Sequence, residues 1–288
     1  QLEIVKDPER YLDLVQREIS LARIMSRNVT LTWWLLISNV VFWLAALFYG
    51  LHLVGDVGLE TRWFNPEQLT FYTGMKVNEH IADGQWWRLI SSQFVHLDFL
   101  HILFNGYGLF ILGPILERFY GPRRLFVLYI ASGTVGALAS FYFNEMPSGG
   151  ASGAIYGLVG GLLVFGFKYR KSLPKRVSRA FTVGLLPWVG LSLAIGFFDG
   201  IPMDNAAHLG GLFSGGIITF FLASRLKARQ NKIVDGVLWG LAGLGVAALL
   251  VTAVQWSEEI THCTEDRPAY LQCYPEIAER FEESSEAR

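Results

Sequence analysis

Charge is what this sequence has least of. Asp, Glu, Lys and Arg make up 17% of its 288 residues, where a soluble domain carries about a quarter. With 52% hydrophobic residues and a net charge of -1, the shortage excludes a disordered chain and a nucleic-acid-binding protein. Two cysteines are too few for a disulfide scaffold. No cluster of His, Cys and Asp has metal-ligand spacing, so no metal or other cofactor is expected. The charge that remains is unevenly placed: long stretches hold none, and Lys and Arg gather in short clusters between them. That is the pattern of a polytopic membrane protein, whose partner is the lipid bilayer. Thirty glycines and 14% aromatic residues fit it, because glycine lets membrane helices approach closely and aromatics settle at the interfaces.

A bilayer core takes roughly 20 apolar residues per helix. Seven stretches qualify, near 31–53, 98–116, 125–143, 152–167, 180–197, 206–224 and 235–256, so the expected fold is all-α, a bundle of membrane-crossing helices. The first is uncharged from Leu31 to Gly55 and no cleavage site follows it, which marks a retained span rather than a signal peptide. Arg118, Arg123 and Arg124 lie between spans two and three. Lys168, Arg170, Lys171, Lys175, Arg176 and Arg179 lie between four and five, and Arg225, Lys227, Arg229 and Lys232 between six and seven. The alternate connections, 144–150 and 198–205, contain Glu145, Asp199 and Asp204 and no basic residue. By the positive-inside rule the basic connections are cytoplasmic, with the N-terminus inside and the C-terminus outside. A plasma or inner membrane is the expected home.

The chain then divides into an N-terminal segment 1–30, a six-helix core 31–224 with an outer loop at 56–95, a linker and seventh span at 225–256, and an outer tail 257–288. Residues 7–28 read as an amphipathic interfacial helix, with Asp7 as cap, Pro8 at the first helical position and Leu12, Val15 and Ile19 on one face. A cytosolic helix touching no lipid fits the same residues. Asn28-Val29-Thr30 is a glycosylation sequon made inert by its cytoplasmic side. Cys263 and Cys273 both fall in the outer tail, where a bridge between them is expected and two free thiols are the alternative.

Polar groups inside spans are costly and default to functional candidates. His101 and Asn105 lie in span two, Ser152 at the start of span four and His208 at the start of span six. Each can be measured from its basic flank. Arg118 follows His101 by 17 residues, Lys168 follows Ser152 by 16, and Arg225 follows His208 by 17. At 1.5 Å per residue these are about 24–26 Å, so three polar residues on three helices share one depth near the outer surface. His101 and Asn105 are i, i+4 on one face, as are Ser152 and Tyr156. His208, Gly211 and Gly215 share a face of span six, and Gly153, Gly157, Gly160 and Gly161 give span four a small-residue surface that permits backbone contact.

That contact would bring Ser152 and His208 within hydrogen-bond range. A hydroxyl becomes a nucleophile when a neutral imidazole takes its proton, and the imidazolium can then protonate a leaving amine. The Ser152 backbone N–H, the Asn105 amide and a ring N–H of His101 are candidate donors to an oxyanion. No carboxylate lies at this depth in spans four or six, so the reading is a Ser–His dyad with Tyr156 packed on the His208 ring. Gly150-Ala151-Ser152-Gly153-Ala154 is not the G-x-S-x-G elbow, since its last position is Ala and a helical chain has no sheet to carry that turn.

Gly150-Ala151-Ser152-Gly153 with Tyr156, His96-x4-His101-x3-Asn105, and Ala207-His208-x2-Gly211-x3-Gly215, in this order and on these spans, together resemble the rhomboid family of intramembrane serine proteases. Trp87-Arg88 and Glu117-x3-Gly121 are similar to two further family motifs. The resemblance covers about Leu31 to Leu222, and the seventh span is similar to the family's six-plus-one form. It implies cleavage of single-pass transmembrane proteins within or beside their spans, with Ser152 as nucleophile, His208 as base, and His101 and Asn105 lining the oxyanion hole. It also implies an outer loop anchored at the headgroups by Trp86, Trp87 and Arg88, and span five as a gate for substrates passing between spans two and five. His96 and Glu117 read as structural. A catalytically silent relative that binds membrane clients is the alternative, although such proteins usually lack the Ser or His kept here. A transporter is disfavoured, because the sequence has no inverted repeat, broken-helix pair or midplane acid.

Overall fold

The computed structural model describes residues 8–56, 74–198, 203–222 and 224–226, with Gly236, Gly240 and Val254 as isolated positions. The described residues form ten helices. They are α1 (Pro8–Met25), α2 (Leu31–Asp56), the short α3 (Asn78–Ala82) and α4 (Arg88–Ser91), α5 (Phe99–Tyr120), α6 (Pro122–Phe143), α7 (Ser152–Lys168), α8 (Lys175–Phe181), α9 (Leu186–Ile195) and α10 (Asn205–Phe221). Asp98 caps α5 by accepting the His101 N–H at 2.8 Å, and Asp204 caps α10 by accepting the Ala207 N–H at 3.0 Å. Gly121, at φ +90, turns the chain between α5 and α6, and Pro122 opens the second helix. The architecture is all-helical. The only pairing of strand type among the described residues is an isolated bridge between Lys76 and Ser148.

The expected spans one to four and six are each found as a helix within a few residues of their predicted ends. Span five is different. Instead of one helix over 180–197 there are two, α8 and α9, joined by turns at 182–185. Pro187 lies in the first turn of α9, where its missing N–H costs nothing, whereas in a continuous helix it would break the ladder. The seventh span, the Cys263–Cys273 pair and the outer-loop stretch 57–73 lie outside the described residues.

Helix α7 is the centre of the bundle, with most of its residues buried between α5, α6 and α10. Leu158, Val159, Leu162 and Phe165 pack with Leu109, Leu116 and Phe119 of α5 and with Leu125, Leu128 and Tyr129 of α6. The outward faces stay apolar. Leu103, Phe104, Tyr107 and Phe110 of α5 and Phe213, Ile217 and Phe220 of α10 are all exposed, more than a water-facing surface tolerates. Phe99–Tyr120, Pro122–Phe143 and the stretch Lys175–Ile195 are long and apolar enough to cross a membrane.

The basic end of the bundle is fastened by one carboxylate. Glu117, buried on α5, accepts the Thr30, Leu31 and Thr32 N–H groups at 2.8–2.9 Å and the hydroxyls of Thr30 and Thr32 at 3.2 and 2.7 Å. It satisfies the orphan donors at the start of α2 from another helix. The carboxyl-terminal ends of α5 and α10 are met by cations: Arg225 donates to the Glu117 and Arg118 carbonyls, and Lys168 to those of Phe220 and Leu222. Helix α1 joins this end through its last turns. Leu21 and Ile24 are buried in the core, while Leu12 and Ile19 remain exposed. An Arg176–Glu18 ion pair at 2.9 Å ties α1 to α8.

Replacing Glu117 with Ala strands several buried donors together and is expected to cost about 3 kcal/mol or more. A thermal-unfolding midpoint in detergent unchanged by Glu117→Ala would contradict this role.

Candidate active site

Ser152 begins α7 and His208 lies one turn into α10. Their Oγ and Nε2 atoms are 2.9 Å apart. The Tyr156 ring lies flat on the imidazole, with centroids 4.2 Å apart and planes 9° from parallel. His208 is buried, and its Nδ1 has no hydrogen-bond partner among the described residues. In the neutral pair the hydroxyl therefore donates to Nε2, Nδ1 carries the ring proton, and the ring is held by stacking rather than by a carboxylate.

Backbone contact sets this distance. A Cβ on Gly211 would fall on the Gly153 carbonyl oxygen, one on Gly215 on that of Gly157, and one on Gly160 on that of Leu212. Gly157 is pressed on its other side by the Ser132 hydroxyl. Gly153 is the exception among the glycines singled out, since a Cβ there would meet the Ala207 oxygen only at 3.6 Å, an ordinary contact. What Gly153 contributes is its carbonyl, against which Gly211 packs.

Beside the hydroxyl lie further polar groups. Asn105 donates one amide hydrogen to the His101 carbonyl at 3.0 Å and keeps a second. The Leu97 N–H approaches His101 Nδ1 at 3.5 Å, which leaves Nε2 to carry the proton of a neutral ring. Gly150, at φ +116, passes under both: a Cβ there would sit 2.5 Å from His101 Nε2 and 3.5 Å from Asn105 Nδ2. The N–H groups of the first turn of α7 have no intrahelical acceptor. His96 stands behind this group. Its Nδ1 lies 3.2 Å from the Phe94 carbonyl, its Nε2 accepts the Ala151 N–H at 3.4 Å, and its ring edge meets His101. Burial, reinforced by the neighbouring His101, pushes the His96 imidazole down to about 3, so it is a neutral strut below the chain that leads into Ser152.

A model of the Rhomboid domain matches residues 83–225, a stretch that holds all of these groups. Rhomboid protease GlpG of Haemophilus influenzae is 34% identical over 154 residues, 52% of this chain and 76% of that protein. The chain belongs to the rhomboid family. Rhomboid protease GluP of Bacillus subtilis is 33% identical over 223 residues, 76% of this chain and 40% of its own length. Rhomboid protease AarA of Providencia stuartii is 28% identical over 286 residues, 90% of this chain and 95% of that protein. The chain spans about half the length of several curated relatives it matches, GluP among them. With its apolar helices, this rhomboid is an integral membrane protein.

Two features of this rhomboid site were not legible beforehand. The Tyr156 hydroxyl donates to Ser192 Oγ at 2.6 Å, and the Tyr156 ring meets Trp188, so the residue on which His208 rests is also the tie to α9. The segment leading to α5 turns its charge inward. Of Trp86, Trp87 and Arg88, expected at the headgroups, only Trp86 is exposed; Arg88 is fully buried and donates to the Met75 carbonyl at 3.0 Å and to Gln85 at 2.5 Å. Short-range patterning marks Trp-Arg as an interfacial pair and carries no sign of the carbonyls that fold around the guanidinium.

Gly150→Ala adds a methyl both where φ is positive and where the His101 ring stands. It is expected to abolish reaction of Ser152 with a fluorophosphonate while leaving the protein folded by circular dichroism; labelling at the wild-type rate would show that the ring moves aside freely.

Proposed function

We propose that the protein is an intramembrane serine protease that cleaves single-pass transmembrane proteins within or next to their spans. The observation that carries this reading is the 2.9 Å approach of Ser152 Oγ to His208 Nε2, with the imidazole stacked on Tyr156. Ser152 attacks the scissile carbonyl as Nε2 takes its proton, and the imidazolium returns that proton to the leaving amine. Water then repeats the sequence on the acyl-enzyme. Charge developing on the carbonyl oxygen is received by the Ser152 N–H, the free amide hydrogen of Asn105 and the Nε2–H of His101. His96, Gly150, Gly153, Gly211 and Gly215 support the geometry.

In this reading the basic end of the bundle faces the cytoplasm and the Ser152 end the outer side of a plasma or inner membrane, with the core 31–224 followed by a seventh span at 235–256. The substrate approaches past α9, of which only Val189 is buried. A transmembrane helix has its backbone bonds closed on itself, so it unwinds locally before a carbonyl reaches Ser152. Helix-breaking Gly or Pro near the outer end of the substrate span favours that step.

The test is covalent labelling of the purified protein by a fluorophosphonate, together with cleavage of a single-pass reporter. Ser152→Ala is expected to abolish both and His208→Ala to lower them by at least about 100-fold. A folded wild-type protein that neither labels nor cleaves overturns the reading. Replacing Gly and Pro of the reporter span by Leu is expected to slow cleavage, and unchanged cleavage argues against local unwinding.

A further inference from the structure

We propose that Asp204 is a positioning residue for His208 and that, with the buried ammonium of Lys76, it sets the charge around the Ser152–His208 pair without touching either side chain. This rests on the protease reading and adds to the dyad a charge pair lying one turn outward of it. The carboxylate of Asp204 caps α10 through the Ala207 N–H at 3.0 Å and accepts the Ser140 hydroxyl of α6. Its main-chain oxygen accepts the His208 N–H at 3.0 Å. Asp204 is thus fixed to the first turn of the helix that carries the imidazole. Although burial pushes its carboxyl up, hydrogen bonds from Ser140, Ala207, Ser148 and Asn144 outweigh this and hold it below the usual carboxylate range. It is ionised at neutral pH.

Lys76 approaches the same place from the outer segment. Its side chain is buried, and Nζ donates to the carbonyls of Asn144 at 2.6 Å and Met146 at 2.9 Å. Its backbone exchanges two hydrogen bonds with Ser148, at 2.7 and 2.9 Å. Burial pushes the ammonium below its ordinary range, and Asp204 and Glu79 act the other way. The 144–150 loop, which runs directly into Ser152, therefore gives carbonyls to the ammonium and, through Asn144 and Ser148, hydrogen bonds to the carboxylate. One charge pair sets both the approach to the nucleophile and the first turn beneath the base.

When His208 takes the serine proton it becomes a cation whose Nδ1 has no partner among the described residues. The groups that face it are Ser152 and Tyr156 on α7 and His101 on α5, with Asp204 on its own helix and Lys76 and Glu79 beyond on the outer segment. Asp204 is the carboxylate built into that surrounding closest along the chain. Through-space attraction in a poorly hydrated site is stronger than in water, so its removal disfavours the imidazolium, and removal of Lys76 favours it.

The experiment measures the rate of fluorophosphonate labelling of the full chain in detergent against pH. Asp204→Asn keeps the cap, since its amide oxygen accepts the same N–H, removes the charge, and turns the Ser140 contact around so that the amide donates to the hydroxyl oxygen. It is expected to move the acid limb to lower pH by roughly half a unit or more and to slow the plateau about three- to tenfold. Asp204→Glu should restore part of the plateau, and Lys76→Met should move the limb the opposite way, to higher pH. Should Asp204→Asn fail to fold, Asp204→Ser, which keeps a capping oxygen and also lacks the charge, takes its place. Slower labelling with an unmoved limb, or limbs displaced in the same direction by both variants, overturns the proposal and leaves a structural role only. Absence of wild-type labelling instead overturns the protease reading on which it stands.

Discussion

Everything at the Ser152 end of this bundle depends on how closely α7 and α10 approach. They meet backbone to backbone, with the α-carbons of Gly211 and Gly215 against the carbonyls of Gly153 and Gly157. A lipid-embedded bundle has little hydrophobic drive to push helices together, because the tails are as apolar as the side chains, so close van der Waals packing has to hold them. It also has a geometric product. Helices separated by Leu-sized residues would hold Ser152 and His208 too far apart for a 2.9 Å contact. Stabilising the bundle and assembling the candidate site are therefore one act, and the same glycines serve both.

A second constraint is that the charged groups buried in this interior, and the donors of Asn39, find partners within the protein. Glu117 gathers the first donors of α2, Arg88 and Lys76 are wrapped by carbonyls, and Asn39 donates to the Leu35 carbonyl and the Tyr129 hydroxyl. Each of these ties joins parts of the chain that are distant in sequence or closes an exposed end. Unpaired, each group would carry a penalty of kilocalories per mole in so apolar a surrounding. Satisfied, they fix the register of helices whose apolar faces alone would slide.

Much of this could be read from residues in order, and what could not is physically consistent. Spans announce themselves because about 20 apolar residues have few other uses in a chain, and Arg118, Lys168 and Arg225 served as rulers because rise per residue is constant in a helix. The common depth of His101, Ser152 and His208 followed from that arithmetic. The misses are all tertiary. Apolar content alone made 180–197 one continuous helix; the stretch is apolar enough to cross a membrane, but turns at 182–185 part it into α8 and α9. Leu12, Val15 and Ile19 mark the face of α1 expected at lipid, and nothing in that pattern pointed to Leu21 and Ile24 as the residues that enter the core. Lys76 gave no signal, since a lone lysine in a polar loop is ordinarily solvated, and its burial is decided by the carbonyls of 144 and 146. Asp204 was visible only as an outer-side acid, although Asp directly before an apolar helix is a cap signal that could have singled it out.

The unpartnered Nδ1 of His208 makes Tyr156 more than a neighbour. In a triad a carboxylate fixes the ring by a hydrogen bond and stabilises its charge at the same atom. In the proposed mechanism the two tasks are divided. Stacking on Tyr156 fixes the plane of the ring, a contact that works without water and suits an apolar bundle. Tyr156 is itself fixed by its bond to Ser192 and its contact with Trp188 on α9, a helix of which only Val189 is buried. Orientation of the imidazole is thereby coupled to the position of α9. A displacement of α9 that opened a path for a substrate would also release the hydroxyl of the ring on which the imidazole lies, so the ring is most firmly held when α9 is seated. The coupling follows from one side chain having two partners, and it needs no change in the glycine contact that keeps α7 and α10 together.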